Sequence, residues 1–192
     1  MKKNALSLAL AVVFGTAVTA STPVEVVTKE VKTSESTVTW KGYKVTGSHY
    51  GIINLTSGSL SFDGDKLVGG EFVVDMTSLI SQDLEGEYKG KLEGHLKSDD
   101  FFGVEKHPTS TLVFTGVKSS GKNSYEVTGD LTIKGITKAV TFDVSIYGSK
   151  ATATMKVDRS EYDVRYGSGS FFDNLGDKTI YDEFDLVVDL QF

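Results

Sequence analysis

Tyr125-Glu126-Val127-Thr128-Gly129-Asp130-Leu131-Thr132-Ile133 changes character at nearly every step. Tyr125, Val127, Leu131 and Ile133 are interleaved with Glu126, Thr128, Asp130 and Thr132. A strand turns successive side chains to opposite faces, so this stretch makes one oily face and one wet face. Val140, Phe142, Val144 and Ile146 repeat the pattern, as do Ala151, Ala153, Met155 and Val157. Phe184, Leu186, Val188, Leu190 and Phe192 share one parity to the last residue. Many such strands joined by short turns must bury their oily faces against one another, in a sandwich or a closed barrel. A barrel not filled by its own side chains holds something apolar.

Outward from this region the pattern recurs near 36–46, 50–56, 58–63 and 67–76, then near 109–118, 123–134, 138–148, 150–158 and 179–192. Ser57-Gly58, Asp63-Gly64-Asp65, Lys134-Gly135 and Gly148-Ser149 are good turn chemistry. The expectation is eight or nine consecutive antiparallel strands in one domain over 36–192, with 21–35 as a tether or edge strand.

The stretch 77–107 breaks the alternation. Leu84, Leu92 and Leu96, with Tyr88, recur every four residues, a helical spacing. Asp83 is a candidate cap. Gly86, Gly90 and Gly94 share the same spacing, each costing about 1 kcal/mol of helix propensity. The reading is a thin, weakly stable helix within 84–102 whose glycine stripe lies close on the sheet and which closes one end. A second irregular region, Glu161 to Lys178, holds Gly167-Ser168-Gly169-Ser170 before Phe171-Phe172. It reads as a second gate with the two phenylalanines as an apolar latch.

Residues 1–20 read as a cleaved secretory signal: Lys2-Lys3, the apolar run Leu6 to Val18, and Val18-Thr19-Ala20. The run is shorter than the roughly 20 apolar residues of a membrane span, and no later segment could cross a membrane. Export points to the periplasm or the extracellular space. The chain has no cysteine, hence no disulfide, thiolate nucleophile or cysteine metal site. Its net charge of −6 disfavours nucleic acid, which wants a basic stripe.

Chemistry is sparse. His49, His95 and His107 are far apart and none has a partner at ligand spacing. A cavity metal site or an enzyme using His49 and His95 stays open as an alternative, but the reading is two polar mouth residues, no metal, no cofactor and no catalytic set. Asp99-Asp100 point apart and make poor acid/base partners. Arg159 reads as a structural ion-pair partner, and Arg165 as a polar mouth residue able to meet an anionic head group.

Several motifs also carry a resemblance. They are Gly47-Ser48-His49-Tyr50-Gly51 before Gly58-Ser59-Leu60-Ser61-Phe62, Leu92-Glu93-Gly94-His95-Leu96-Lys97-Ser98-Asp99-Asp100-Phe101-Phe102, Gly129-Asp130-Leu131-Thr132-Ile133-Lys134-Gly135-Ile136-Thr137, and Asp158-Arg159-Ser160. In this order the chain resembles the YceI-like family of exported polyisoprenoid-binding proteins. The resemblance implies an extended lipocalin-like antiparallel barrel of eight strands. It also implies a long tunnel holding an isoprenoid or similar amphiphile, a periplasmic location and no catalysis. No contact residue transfers by motif, because the family's ligand contacts are apolar wall positions. Inward parity assigns Trp40, Phe72, Val74, Met76, Phe114, Leu131, Phe142 and Met155 to the wall. Leu84, Leu92, Leu96, Phe101 and Phe102 are expected to close over it, with Phe171 and Phe172 as the latch. The rival from another class is an interaction module whose barrel is filled by its own rings. A homodimer stays open.

Overall fold

The computed structural model describes residues 25–192. The expected signal, 1–20, and the first residues of the 21–35 segment lie outside them. The elements are strands β1 (Val26–Glu30), β2 (Thr37–Lys44), β3 (Gly47–Asp63) and β4 (Lys66–Ser81), helix α1 (Gly86–Lys97), then β5 (Thr109–Ser119), β6 (Ser124–Ile133), β7 (Ile136–Tyr147), β8 (Lys150–Asp158) and β9 (Ile180–Gln191). Around the sheet the order is β3-β2-β9-β8-β7-β6-β5-β4, and β4 pairs back onto β3. The sheet is therefore a closed antiparallel barrel of eight strands. β1 pairs with the distal half of β3 (Val26↔Asp63), while β2 pairs with its proximal half (Val38↔Ile53). Those two short strands share one place in the wall.

Local chemistry sets the turns. Lys134 and Gly135 both have positive φ, 52° and 75°, the backbone twist that a two-residue hairpin requires. Ser57-Gly58, expected to turn, does not. β3 runs straight through it with register slips, among them one between Leu55 and Ser57. A Cβ on Gly58 would stand 2.7 Å from Phe72 Cδ1, so the glycine there seats a ring instead of reversing the chain.

The inward residues stack in layers along the barrel axis. Met76, Trp40, Ile133 and Phe184 lie toward the helix end. Phe72, Phe142, Met155 and Leu190 lie beyond them. Leu60, Phe62, Leu67, Tyr125, Val127 and Phe192 are buried further toward the other end. There Phe62 and Phe192 meet with centroids 5.5 Å apart, and Lys29 Nζ lies 4.8 Å from the Phe62 ring. A cation over stacked rings covers that end of the barrel.

The helix differs from expectation. It covers Gly86–Lys97, so Leu84 falls in the link before it, and Phe101 and Phe102 follow in a turn. Glu85, not Asp83, holds the N-cap position, with no side-chain cap bond. The Asp83 carboxylate is instead engaged by His49, Tyr50 N–H and the Ser81 hydroxyl. A Cβ added at Gly86, Gly90 or Gly94 would meet nothing within 4 Å. The glycine stripe thus faces outward, and close packing on the sheet is not its purpose. Leu92 and Leu96 turn inward, and Glu93 Oε1 accepts Ser81 N–H at 2.9 Å, tying the helix to the end of β4.

Candidate ligand-binding cavity

The strand parity described above leaves the barrel unfilled at the helix end. A chamber of about 260 Å³ opens there. Its wall is apolar: Val38, Trp40, Ile53, Val74, Met76, Leu79, Leu92, Leu96, Phe101, Phe102, Leu131, Ile133, Ile180, Phe184 and Leu186. A second, wholly apolar chamber of about 80 Å³ lies deeper, lined among others by Leu60, Phe72, Phe114, Phe142, Met155 and Leu190. Val38, Val74, Leu131 and Leu186 line both, so the two chambers adjoin at a waist.

Of the residues singled out from sequence, Trp40, Val74, Met76, Leu92, Leu96, Phe101, Phe102 and Leu131 line the outer chamber. Phe72, Phe114, Phe142 and Met155 line the inner one. Leu84 borders neither, because it precedes the helix. Phe171 and Phe172 border neither and are 40% and 50% exposed. The loop is turned outward by its anchors. Ser168 is fully buried, with its Oγ accepting Ser170 N–H at 3.1 Å. Gly167, at φ 64°, sits where a Cβ would lie 3.1 Å from Ile180 Cγ1. In this structure Tyr166, not the phenylalanine pair, reaches the helix.

The polar groups gather at the outer end. His49 Nδ1 lies 2.7 Å from Asp83 Oδ2, and Ser81 Oγ–H donates to Asp83 Oδ1 at 2.8 Å. Burial pushes the Asp83 carboxyl up, but its bonds from His49, Ser81 and Tyr50 N–H outweigh that and hold it below its usual value. His95 packs edge-on against Tyr166 at 4.4 Å and Phe101 at 5.8 Å. Its Nε2 is buried without a hydrogen-bond partner, an arrangement that leaves a polar atom open to a ligand's polar group. Arg165 is exposed, paired with Asp163 and stacked on Phe171. It is not at the cavity.

Arg159 is. It lines the outer chamber yet is only 3% exposed. Its Nε, Nη1 and Nη2 donate to the carbonyls of Tyr181, Val164 and Ile180 at 3.2, 2.7 and 2.9 Å. Nη2 stands 3.3 Å from Asp182 Oδ1, within ion-pair range but without hydrogen-bond geometry. Burial lowers the guanidinium pKa against the opposing pull of Asp182 and Asp158. The Phe101 ring lies 5.2 Å from its Cζ. Ile133, Phe184, Leu186 and Val38 also line the cavity and were findable by parity. Tyr166 had no sequence signal.

The Asp83 cluster gives a first prediction. A carboxyl depressed on folding contributes stability above its unfolded value, about 3.9, and loses it as pH falls through the folded value. The protection of the Tyr50 amide, its intrinsic exchange rate over the observed one, should therefore fall on acidification through that window. Asp83→Asn should abolish this pH dependence. An unchanged acid profile in the variant would show that Asp83 does not hold the mouth.

Among the described residues, no three His, Cys, Asp or Glu side chains cluster as a metal site. No described helix is long and apolar enough to cross a membrane.

Comparison with known proteins places this architecture. A UPF0312 protein of Azotobacter vinelandii is 36% identical over 99 residues, 52% of this chain and 50% of that protein. One from Vibrio parahaemolyticus is 30% identical over 136 residues, 64% and 69% of the two chains. The chain spans about half the length of the first of these curated relatives. Among solved structures, Burkholderia cenocepacia BcnA is 23% identical at a TM-score of 0.62, covering 83% of this chain and 98% of its own. A polyisoprenoid binding domain from Saccharophagus degradans is 12% identical at 0.56, covering 84% and 95%. A Campylobacter jejuni YceI protein is 18% identical at 0.54, covering 100% and 98%. These likenesses show the fold. The YceI-like domain model itself matches residues 30–192, and the chain belongs to the YceI-like family.

Proposed function

We propose that this protein is an exported carrier or store of a long apolar or amphiphilic molecule of polyisoprenoid type, held inside the barrel without catalysis. The observation that carries this reading is the unfilled interior: two adjoining chambers with largely apolar walls, the wider one bordered by His49, His95 and Arg159. A chain threaded inward would bury its hydrocarbon along the wall and leave its polar end near His49 and His95. About ten buried carbons at roughly 0.8 kcal/mol each give about 8 kcal/mol gross. That corresponds to about micromolar affinity before ordering costs. The polyisoprenoid binding domain from Saccharophagus degradans, with the same fold, supports the ligand class. The periplasmic location rests on the Lys2-Lys3 start and the Val18-Thr19-Ala20 site.

Organic extraction of the protein purified from its native compartment, followed by mass spectrometry, tests this directly. A stoichiometric lipid is expected. A protein that carries none, and that displaces no fluorescent apolar probe, would be an interaction module. A transition metal that survives dialysis and is lost in a His49→Ala, His95→Ala double variant would revive the metal or enzyme alternative.

A further inference from the structure

The inner chamber is small because three rings occupy its wall. Phe72 and Phe114 meet with centroids 5.6 Å apart, and Phe114 and Phe142 with centroids 5.8 Å apart. The rings belong to β4, β5 and β7, so together they span a broad arc of the barrel. Glycines on the adjacent strands seat two of them. A Cβ on Gly58 would lie 2.7 Å from Phe72 Cδ1, and one on Gly70 would lie 2.9 Å from Phe114 Cε2. Real Cβ atoms do not approach that closely, so the rings hold their places only while those positions stay bare. A hydrocarbon chain that enters at the helix end and passes the waist meets these ring faces next.

We propose that Phe72, Phe114 and Phe142 form a depth stop that sets the length of hydrocarbon chain the barrel accepts. This rests on the reading that the barrel holds a lipid. The stop selects by steric exclusion. A chain longer than the two chambers together can hold must displace packed rings, whereas a shorter one leaves wall surface without contacts. An acyl chain and a prenyl chain share this chemistry, so length is the property being read.

The stop can be moved in both directions. Phe142→Ala opens the inner chamber. Gly70→Ala would set a Cβ 2.9 Å from Phe114 Cε2 and 3.1 Å from Leu60 Cδ2, two residues of the inner wall, and so crowds that chamber. Each purified variant is titrated with prenyl alcohols and with straight-chain alcohols of graded length, in competition with the fluorescent probe 1-aminoanthracene. Phe142→Ala should move the optimal length upward by at least one isoprene unit, and Gly70→Ala should move it downward. Straight-chain alcohols should shift by a matching carbon count. Phe142→Leu provides the same upward direction with less loss of packing, should the alanine variant fail to fold. Binding that persists with an unchanged optimum in all variants overturns the depth stop and leaves the carrier reading standing. Failure of the unsubstituted protein to bind any chain overturns the carrier reading itself, and the stop with it.

Discussion

Arg159→Leu should destabilise the protein by about 3–5 kcal/mol, the usual cost of breaking a buried charge pair from one side. The guanidinium sits 3% exposed at the point where the 159–180 segment folds back on the barrel. It satisfies the carbonyls of Val164, Ile180 and Tyr181 at once. Leucine fills similar volume but leaves the three carbonyls without the donors Arg159 supplies and Asp182 with only the Ser170 hydroxyl, each buried acceptor left unpaired costing about 1–3 kcal/mol before relaxation. Arg159→Lys retains the charge and loses the fork, so it should recover only part of the loss. Ile180 and Tyr181 line the outer chamber and Phe101 stacks on the guanidinium, so the leucine variant should also release a bound apolar probe faster. The measurement is denaturant unfolding of parent, leucine and lysine variants beside probe release rates. A leucine variant within about 1 kcal/mol of the parent would mean that solvent reaches these carbonyls and that Arg159 is not the pin of the segment.

What was legible in the sequence was whatever a period of two can report. Ile133, Leu131 and Val127 keep the parity that sends them inward, and the structure stacks them through the outer chamber, the waist and the distal core. The same holds for Phe184, Leu186 and Leu190 on β9 and for Phe192 just past its end. Parity is local, and a barrel wall obeys it because every strand has the same inside. The misreadings share a different cause. Ser57-Gly58 has turn chemistry, yet its conformation is decided by a Phe72 ring on the neighbouring strand. Gly86, Gly90 and Gly94 have a packing stripe's spacing, yet nothing lies opposite them. For Ser57-Gly58 the deciding partner lies on another strand, and for the helix glycines there is no partner at all; one chain without its folded neighbours carries no sign of either. His95 shows the same limit at the site. Its unpartnered Nε2 follows from Tyr166 and Phe101 closing on its faces, a contact no spacing rule encodes.

Met155→Asp should abolish lipid retention and cost roughly 4 kcal/mol or more at neutral pH. Met155 is buried on β8, facing the inner chamber opposite no cation, with Leu186 its partner across the ladder. Removing a buried methionine side chain typically costs about 2–5 kcal/mol, and a buried polar group without partners adds about 1–3 kcal/mol. The new carboxyl would keep its proton to escape the charge, so its folded pKa would rise above the unfolded value of about 3.9. The sign follows from linkage. The penalty is smallest below the unfolded pKa, where both states are protonated, and grows as pH rises toward the folded pKa. The gap in melting temperature between variant and parent should therefore widen from acid to neutral pH. Met155→Asn, equally polar but unable to ionise, should show a constant gap. Met155→Leu should stay close to the parent, since it conserves volume and apolarity. An aspartate variant that melts with the parent at neutral pH and carries its full lipid would put residue 155 on the outer face. With β8 read in the opposite parity, Ala151 and Val157 would turn outward with it, and the inner chamber would lose a wall.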